Sequence, residues 1–243
     1  MKFDDSEYTF EAPAVVSRAR RILIKPCANS AAAYPVTTSR DILASIINGI
    51  RKVSDADIVI LEGTPDGSPV MPIFQSLGYD FPRVVMLDVR DSVWVEVDNP
   101  LPKPLIMPTF WIPNVILSSD YLISVTPAKV VKNQSWLSIM NLLSLLPAKK
   151  YSSAKGNWTE LYALGIDKVI ADLYYTLPFD LGIIEARQKL VSDDNPLSGK
   201  VENMGKVFVG DPLEIDREVS EMLTTKNEYL ELIRLAESGL DII

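Results

Sequence analysis

Short continuous apolar runs alternate along this chain with stretches in which apolar residues recur every three or four positions. Arg21 to Lys25 (Arg-Ile-Leu-Ile-Lys) reads as a buried strand closed by Pro26. Past a loop from Cys27 to Thr38, Ser39 and Asp41 open a helix. Its Ile42, Leu43, Ile46, Ile47, Ile50 and Val53 form one broad apolar face. Asp57 to Glu62 is again continuously apolar, as in strands covered on both faces. Strand, helix and strand in this order predict a βαβ unit with a right-handed crossover. A short helix from Val70 to Leu77 and a strand from Arg83 to Asp88 follow, then a hairpin strand from Val93 to Val97. Tyr121 to Val125 is a further apolar strand, ending in Thr126-Pro127-Ala128-Lys129. The pattern then predicts a helix over Trp136 to Leu146, a polar loop over Ala148 to Asn157 and a longer helix from Trp158 to about Tyr175. Leu181 to Glu185 reads as a core strand, Val191 to Glu202 as a loop, and Glu228 to Glu237 as a last amphipathic helix.

One corner stands out. The strand Lys206 to Val209 runs into Gly210-Asp211-Pro212 and then into a helix with an apolar stripe of Ile215, Val219, Met222 and Leu223. Pro212 suits the first helical position, where its missing N–H costs nothing. Asp211 is then the N-cap, with Glu214 three residues on. Asp216 lies off the stripe. Ligands of open α/β sheets bind at the carboxyl ends of strands, so this corner is the expected place for chemistry. Strands alternating with helices predict an α/β fold: a single domain over residues 1–243, with a mixed, largely parallel sheet covered by helices. The proline-rich stretch 99–115 reads as an irregular excursion.

Charge and composition narrow the functional classes. The net charge is −8 and no Lys/Arg block occurs, which argues against a nucleic-acid partner. There is no histidine, which removes Ser-His-Asp and Cys-His catalysis and histidine metal ligation. A single cysteine allows no zinc site and no iron–sulfur cluster built on cysteines. Met1 to Glu11 is acidic and polar rather than a signal peptide, and no apolar run is long enough for a membrane span. A cytoplasmic protein with no membrane partner is the expectation; a homo-oligomer is compatible with it.

Catalysis would then fall to carboxylates, lysines and hydroxyls. Glu62 ends a core strand, where a general base or metal ligand often sits, though a strand-terminal glutamate facing water fits as well. Lys25 can hold an anionic substrate as a point charge or stand as a solvated edge lysine. Asp211 and Asp216 can cap and decorate the helix or bind a divalent cation such as Mg²⁺. Asn141 sits in a very apolar run and needs a buried partner, structural hydrogen bonding ranking above ligand contact. Cys27 is a nucleophile only in principle, with no histidine to activate it. Gly63, Thr64 and Gly67 match neither common phosphate-loop spacing. The four tryptophans are scattered and read as packing.

Several pieces together resemble the domain-of-unknown-function 362 family. They include Ile24-Lys-Pro26, Thr37-Thr38, Ile60-Leu-Glu-Gly63, Ile123-Ser-Val-Thr-Pro-Ala-Lys129, Asn141 to Pro147, Ile170-Ala-Asp-Leu173, Leu181 to Glu185, Pro196 to Gly199, Gly210 to Asp216 and the tail Tyr229 to Leu240. The resemblance singles out Lys129, adds Asp172 to the acidic set, and implies ligand or cofactor contacts at Thr37 and Thr38. Departures are clear. Cys27 replaces an expected Asn, Val131 an expected His, Met140 an expected Lys and Glu185 an expected Asp, and no ferredoxin module is present. Two readings follow. One is an enzyme scaffold holding a small anionic metabolite in a carboxylate-lined cleft, with Glu62, Lys129, Asp211 and Asp216 as catalytic groups and Asp172, Asp211 and Asp216 on a cation. The other is a non-catalytic binding or assembly protein that kept the fold and presents Leu101 to Val115, with Phe110 and Trp111, to a partner.

Overall fold

The computed structural model describes residues 1–151 and 158–237. In chain order the strands are β1 (Lys2–Asp4), β2 (Arg21–Pro26), β3 (Asp57–Glu62), β4 (Val84–Asp88), β5 (Trp94–Asp98) and β6 (Thr109–Pro113). They continue as β7 (Tyr121–Val131), β8 (Gln134–Trp136), β9 (Leu181–Ser192) and β10 (Lys200–Gly210). The helices are α1 (Arg40–Arg51), α2 (Met71–Ser76), α3 (Asn114–Leu117), α4 (Ala148–Tyr151), α5 (Thr159–Thr176), α6 (Pro212–Leu223) and α7 (Glu228–Glu237).

The main sheet has eight strands in the order β1-β10-β9-β7-β2-β3-β4, with β8 paired to the far end of β7. From β9 to β4 every neighbour is parallel, while β10 and β1 add on antiparallel. This is the mixed, largely parallel α/β fold that the alternation of elements predicts. Strand geometry explains the continuous apolar runs: successive side chains leave opposite faces. Ile22, Ile24, Ile58 and Ile60 pack with Ile42, Leu43, Ile46, Ile47 and Ile50 of α1. Leu23 and Leu61 face the other way, into Leu142, Leu143, Leu145, Phe110 and Leu173. Both faces are therefore covered. Val53 leaves the predicted helical face because α1 ends at Arg51, and it is exposed.

Five segments differ from the pattern-based reading. β7 does not stop at Val125 but continues through Pro127, with a register shift at Pro127/Ala128, to Val131. The predicted helix over Trp136 to Leu146 is instead β8 followed by a 3-10 turn from Met140 to Leu145. Its polar residues divert the backbone. Asp216 accepts from the N–H groups of Ser138 and Ile139, both at 2.9 Å, and Asn227 accepts from Ser135 N–H at 2.9 Å. β9 and β10 extend into both ends of the predicted loop and leave residues 193–199 between them. Inside the proline-rich excursion, β6 pairs antiparallel with β5. The predicted loop over Ala148 to Asn157 begins as α4, and its residues 152–157 lie outside the described residues.

The Gly-Asp-Pro corner has the predicted local chemistry and a different address. Asp211 caps α6 by accepting from Leu213 N–H at 2.9 Å and Glu214 N–H at 3.1 Å. Yet β10 runs antiparallel to β9, and Gly210 stands opposite Gly182 at the start of β9. The end of β10 is therefore level with the amino ends of the parallel strands. Strand direction, which the apolar pattern does not carry, moves the corner to the edge opposite the one expected to bind ligands.

Candidate functional site

Ligand crevices in open α/β sheets form where consecutive connections leave a strand in opposite directions. Here β2 leads to β3 and β4 on one side, and the chain then returns to β7 on the other side of β2. The switch point lies between the carboxyl ends of β2 and β7. Cys27 directly follows β2, and Thr126 and Lys129 lie on the distal half of β7. All three line one cavity of about 440 Å³.

Beneath its wall lies a buried ion pair, bonded to the lining residues Asn141 and Ser144. Lys25 and Glu62 are both fully buried, with Nζ at 2.8 Å from Oε1 and 3.0 Å from Oε2. Lys25 Nζ also donates to the Pro26 carbonyl at 2.6 Å and to Asn141 Oδ1 at 3.2 Å. Glu62 accepts further from the Ala28 N–H at 2.6 Å, the Gly63 N–H at 2.9 Å and the Ser144 hydroxyl at 2.5 Å. Gly63 is required for this approach, since a Cβ there would stand 2.5 Å from the Ser144 carbonyl oxygen. Every lone pair that Glu62 could offer a substrate is thus engaged. Asn141 donates to the Lys25 carbonyl and to Ser124 Oγ, both at 3.1 Å, so it ties β2 and β7 together while also lining the cavity.

Lys129 is different. It is only 3% exposed, and the one hydrogen bond of its side chain among the described residues runs from Nζ to Cys27 Sγ at 3.4 Å. Lys129 is the sole cation on the described cavity wall, and Asp66, on an exposed loop at the rim, is the sole carboxylate. Hydrogen bonds from the backbone and hydroxyl of Ser68 hold the Asp66 carboxyl below its usual range. Trp136, Leu137, Met140, Trp158 and Tyr162 make the wall largely apolar, so two of the four tryptophans serve the cavity rather than remote packing.

Thr38 fixes Cys27 from beneath. Its N–H donates to the Cys27 carbonyl at 2.8 Å, and its hydroxyl accepts from the Cys27 N–H at 2.9 Å. The same hydroxyl donates to the Val125 carbonyl on β7 at 2.9 Å. Thr37 bonds the Ala32 carbonyl at 2.6 Å. Both threonines are buried, and neither is on the wall of this cavity.

Nor do the carboxylates converge. Asp172 is fully buried and accepts from Asn99 Nδ2 and from the N–H groups of Leu105, Ile106 and Met107, at 2.7 to 2.9 Å. It fastens the proline-rich excursion to α5, and those donors occupy both of its oxygens. Asp216 is fully buried instead of decorating the first turn. It accepts from Ser138 and Ile139 and from the Tyr229 hydroxyl at 3.2 Å, joining α6 to α7. Burial pushes its carboxyl up to about 6 against those hydrogen bonds. Glu185 accepts from the Ser39 N–H and hydroxyl and pairs with Arg187, and burial raises it too. Among the described residues, no three of His, Cys, Asp and Glu are placed to hold a metal ion. Phe110, expected on a partner surface, is in the core, and Lys150 Nζ lies 3.5 Å from the Trp111 ring centroid.

The model of a family described only as domain of unknown function, DUF362, matches residues 22–221. The chain belongs to this family. No curated protein matches this DUF362 chain. Its fold is similar to the solved lactate racemase apoprotein from Thermoanaerobacterium thermosaccharolyticum, with a TM-score of 0.51 and 16% identity. The match covers 89% of this chain and 52% of the racemase, so this DUF362 chain spans about half of that protein's length. At this identity the likeness concerns the fold. Among the described residues no helix is long and apolar enough to cross a membrane.

Of the site residues expected from sequence, Lys129 and Asn141 reach the cavity wall directly, and Lys25 and Glu62 lie under it. Cys27, Trp136, Trp158 and Tyr162 were not among them. A cysteine just past one apolar run and a lysine a few residues past another are a visible signal, but only the adjacency of β2 and β7 makes them neighbours.

Proposed function

We propose that this chain is an enzyme-like scaffold that binds a small organic anion in the switch-point cavity, with Lys129 as the group that holds the negative charge. One observation carries the reading: a buried lysine on the wall of a concave pocket whose only described partner is a sulfur atom. Burying a cation without a carboxylate costs several kcal/mol, and a ligand anion would supply the missing charge. The volume, about 440 Å³, falls within the usual range for small-molecule sites. Aromatic and aliphatic walls suit an apolar body attached to the anionic group. The structural neighbour is named for a small carboxylate, lactate, and that ligand class is what the proposal takes from it.

The divalent cation of the sequence-based expectation is not part of this reading. Its motive was a set of carboxylates converging at the site, and Asp172, Asp211 and Asp216 bond elsewhere. The test is a thermal-shift panel of small carboxylates, hydroxycarboxylates and phosphate esters, run with and without Mg²⁺. A ligand at a hundred times its Kd adds about 2.7 kcal/mol of stability. The reading expects a metal-independent shift that survives Asp211→Asn and disappears in Lys129→Met. No shift with any anion, or a shift that Lys129→Met leaves intact, would overturn it.

A further inference from the structure

Cys27 has no role in the binding reading, yet the fold holds it with care. Its backbone N–H and carbonyl are both clamped by Thr38, at 2.9 and 2.8 Å, and Thr38 is anchored to β7. The thiol points to the cavity, 3.4 Å from Lys129 Nζ. Lys129 is the sign of a ligand here, a deeply buried cation on the cavity wall with no carboxylate bonded to it among the described residues. An anion drawn to that Nζ comes to rest within reach of the sulfur. Both side chains leave the carboxyl edge of adjacent parallel strands, so neither loop motion nor a lid is needed to bring them together.

We infer that Cys27 is the nucleophile of this cavity, and that its target is a small carboxylate carrying an electrophilic carbon, positioned by Lys129. The inference rests on the anion-binding reading given above. On a conjugated unsaturated acid the step is an addition. Sulfur bonds to the β-carbon, the π pair moves to the α-carbon, and that carbon takes the proton lost by the thiol. No oxidant or reductant is required. Lys129 does not form a bond in this step; it holds the carboxylate so that the carbon faces sulfur, and the gain is one of proximity and orientation. Thr38 is a positioning residue, since it fixes where Sγ stands without touching the ligand.

Alkylation with two reagents of equal reach isolates the idea. Iodoacetate carries a carboxylate and iodoacetamide does not; with either, the S–C bond forms, the C–I bond breaks, iodide leaves and the thiol proton passes to solvent. Rates at Cys27, the only cysteine, are followed on the intact folded protein by mass spectrometry and divided by the rates with glutathione in the same buffer. The inference expects the normalised rate for iodoacetate to exceed that for iodoacetamide by at least about tenfold, the low end of electrostatic enrichment at a charged cleft. Lys129→Met should bring the two normalised rates together, whatever their common level in that variant. Equal normalised rates in the native protein would overturn the inference, as would a folded thiol that reacts with neither reagent although the unfolded protein reacts with both. Thermal shifts of Cys27→Ser with acetate and propionate keep the two proposals apart. Anion-induced stabilisation of that variant, with no iodoacetate preference in the native protein, would sink the nucleophile alone. Loss of both would sink the binding reading as well.

Discussion

Two buried lysines near the same cavity should respond to the same substitution in opposite ways. Lys25 has four close acceptor contacts, two from the carboxylate of Glu62. In Lys25→Met that carboxylate stays buried with its counter-charge gone. Breaking a buried pair costs about 3–5 kcal/mol. Glu62 keeps donors from Ala28, Gly63 and Ser144, which favours the lower end. At about 2–4 °C per kcal/mol for a chain of this size, a loss near 3 kcal/mol lowers Tm by roughly 6–12 °C. Lys129 has one described contact, to sulfur, so Lys129→Met removes a desolvated cation and strands no carboxylate. Stability should stay level or rise, as at sites where function holds a group against the interest of the fold. Parallel thermal and urea unfolding of the two variants decides the matter. A drop in Lys129→Met as large as that in Lys25→Met would mean that Lys129 is paired in the folded protein, and its role as a free anion holder would fall.

Asp172→Asn should cost about 2–3 kcal/mol, because an amide has one acceptor oxygen where the carboxylate has two, and it leaves at least one of the donors from Asn99, Leu105, Ile106 and Met107 buried and unpaired. Faster proteolysis within 99–108 of the folded variant would accompany the loss, and wild-type resistance there would contradict the anchoring role. Asp216 sets a pH signature. Its folded carboxyl stands near 6 against 3.8 for the free side chain, so its contribution is full below about pH 3.8 and is lost as the pH rises through 6. Two pH units correspond to on the order of 3 kcal/mol. The destabilisation of Asp216→Asn relative to wild type should therefore shrink between pH 4 and pH 7. A difference that stays flat or grows over that window would contradict the burial argument.

Local patterns served well where residues act on their neighbours. The apolar faces of β2, β3 and α1, the Ser39 and Asp211 caps and the limits of α7 all follow from residue type and spacing. Side chains that bond far along the chain were opaque. Asp216 reaches back to Ser138, and Asp172 to Leu105, so one segment loses its predicted helix and a surface excursion becomes a pinned hairpin. The site suffered most from strand direction. Apolar runs do not say whether β10 is parallel or antiparallel, and the antiparallel choice carries Asp211 to the opposite edge of the sheet from Cys27 and Lys129. The residues that gather at the switch point come from separate stretches of chain, and only the order β9-β7-β2-β3 assembles them. Glu62, read as a base, has its oxygens fully engaged by donors and lies beneath the cavity wall instead.

Calorimetric titration of the best anion from the thermal-shift panel into wild type and Lys129→Met tests the central claim most directly. With Lys129 supplying the charge contact, affinity should fall at least about tenfold, or 1.4 kcal/mol, in a variant whose Tm is undiminished. Equal affinity in the two proteins would place the anion elsewhere and contradict the account.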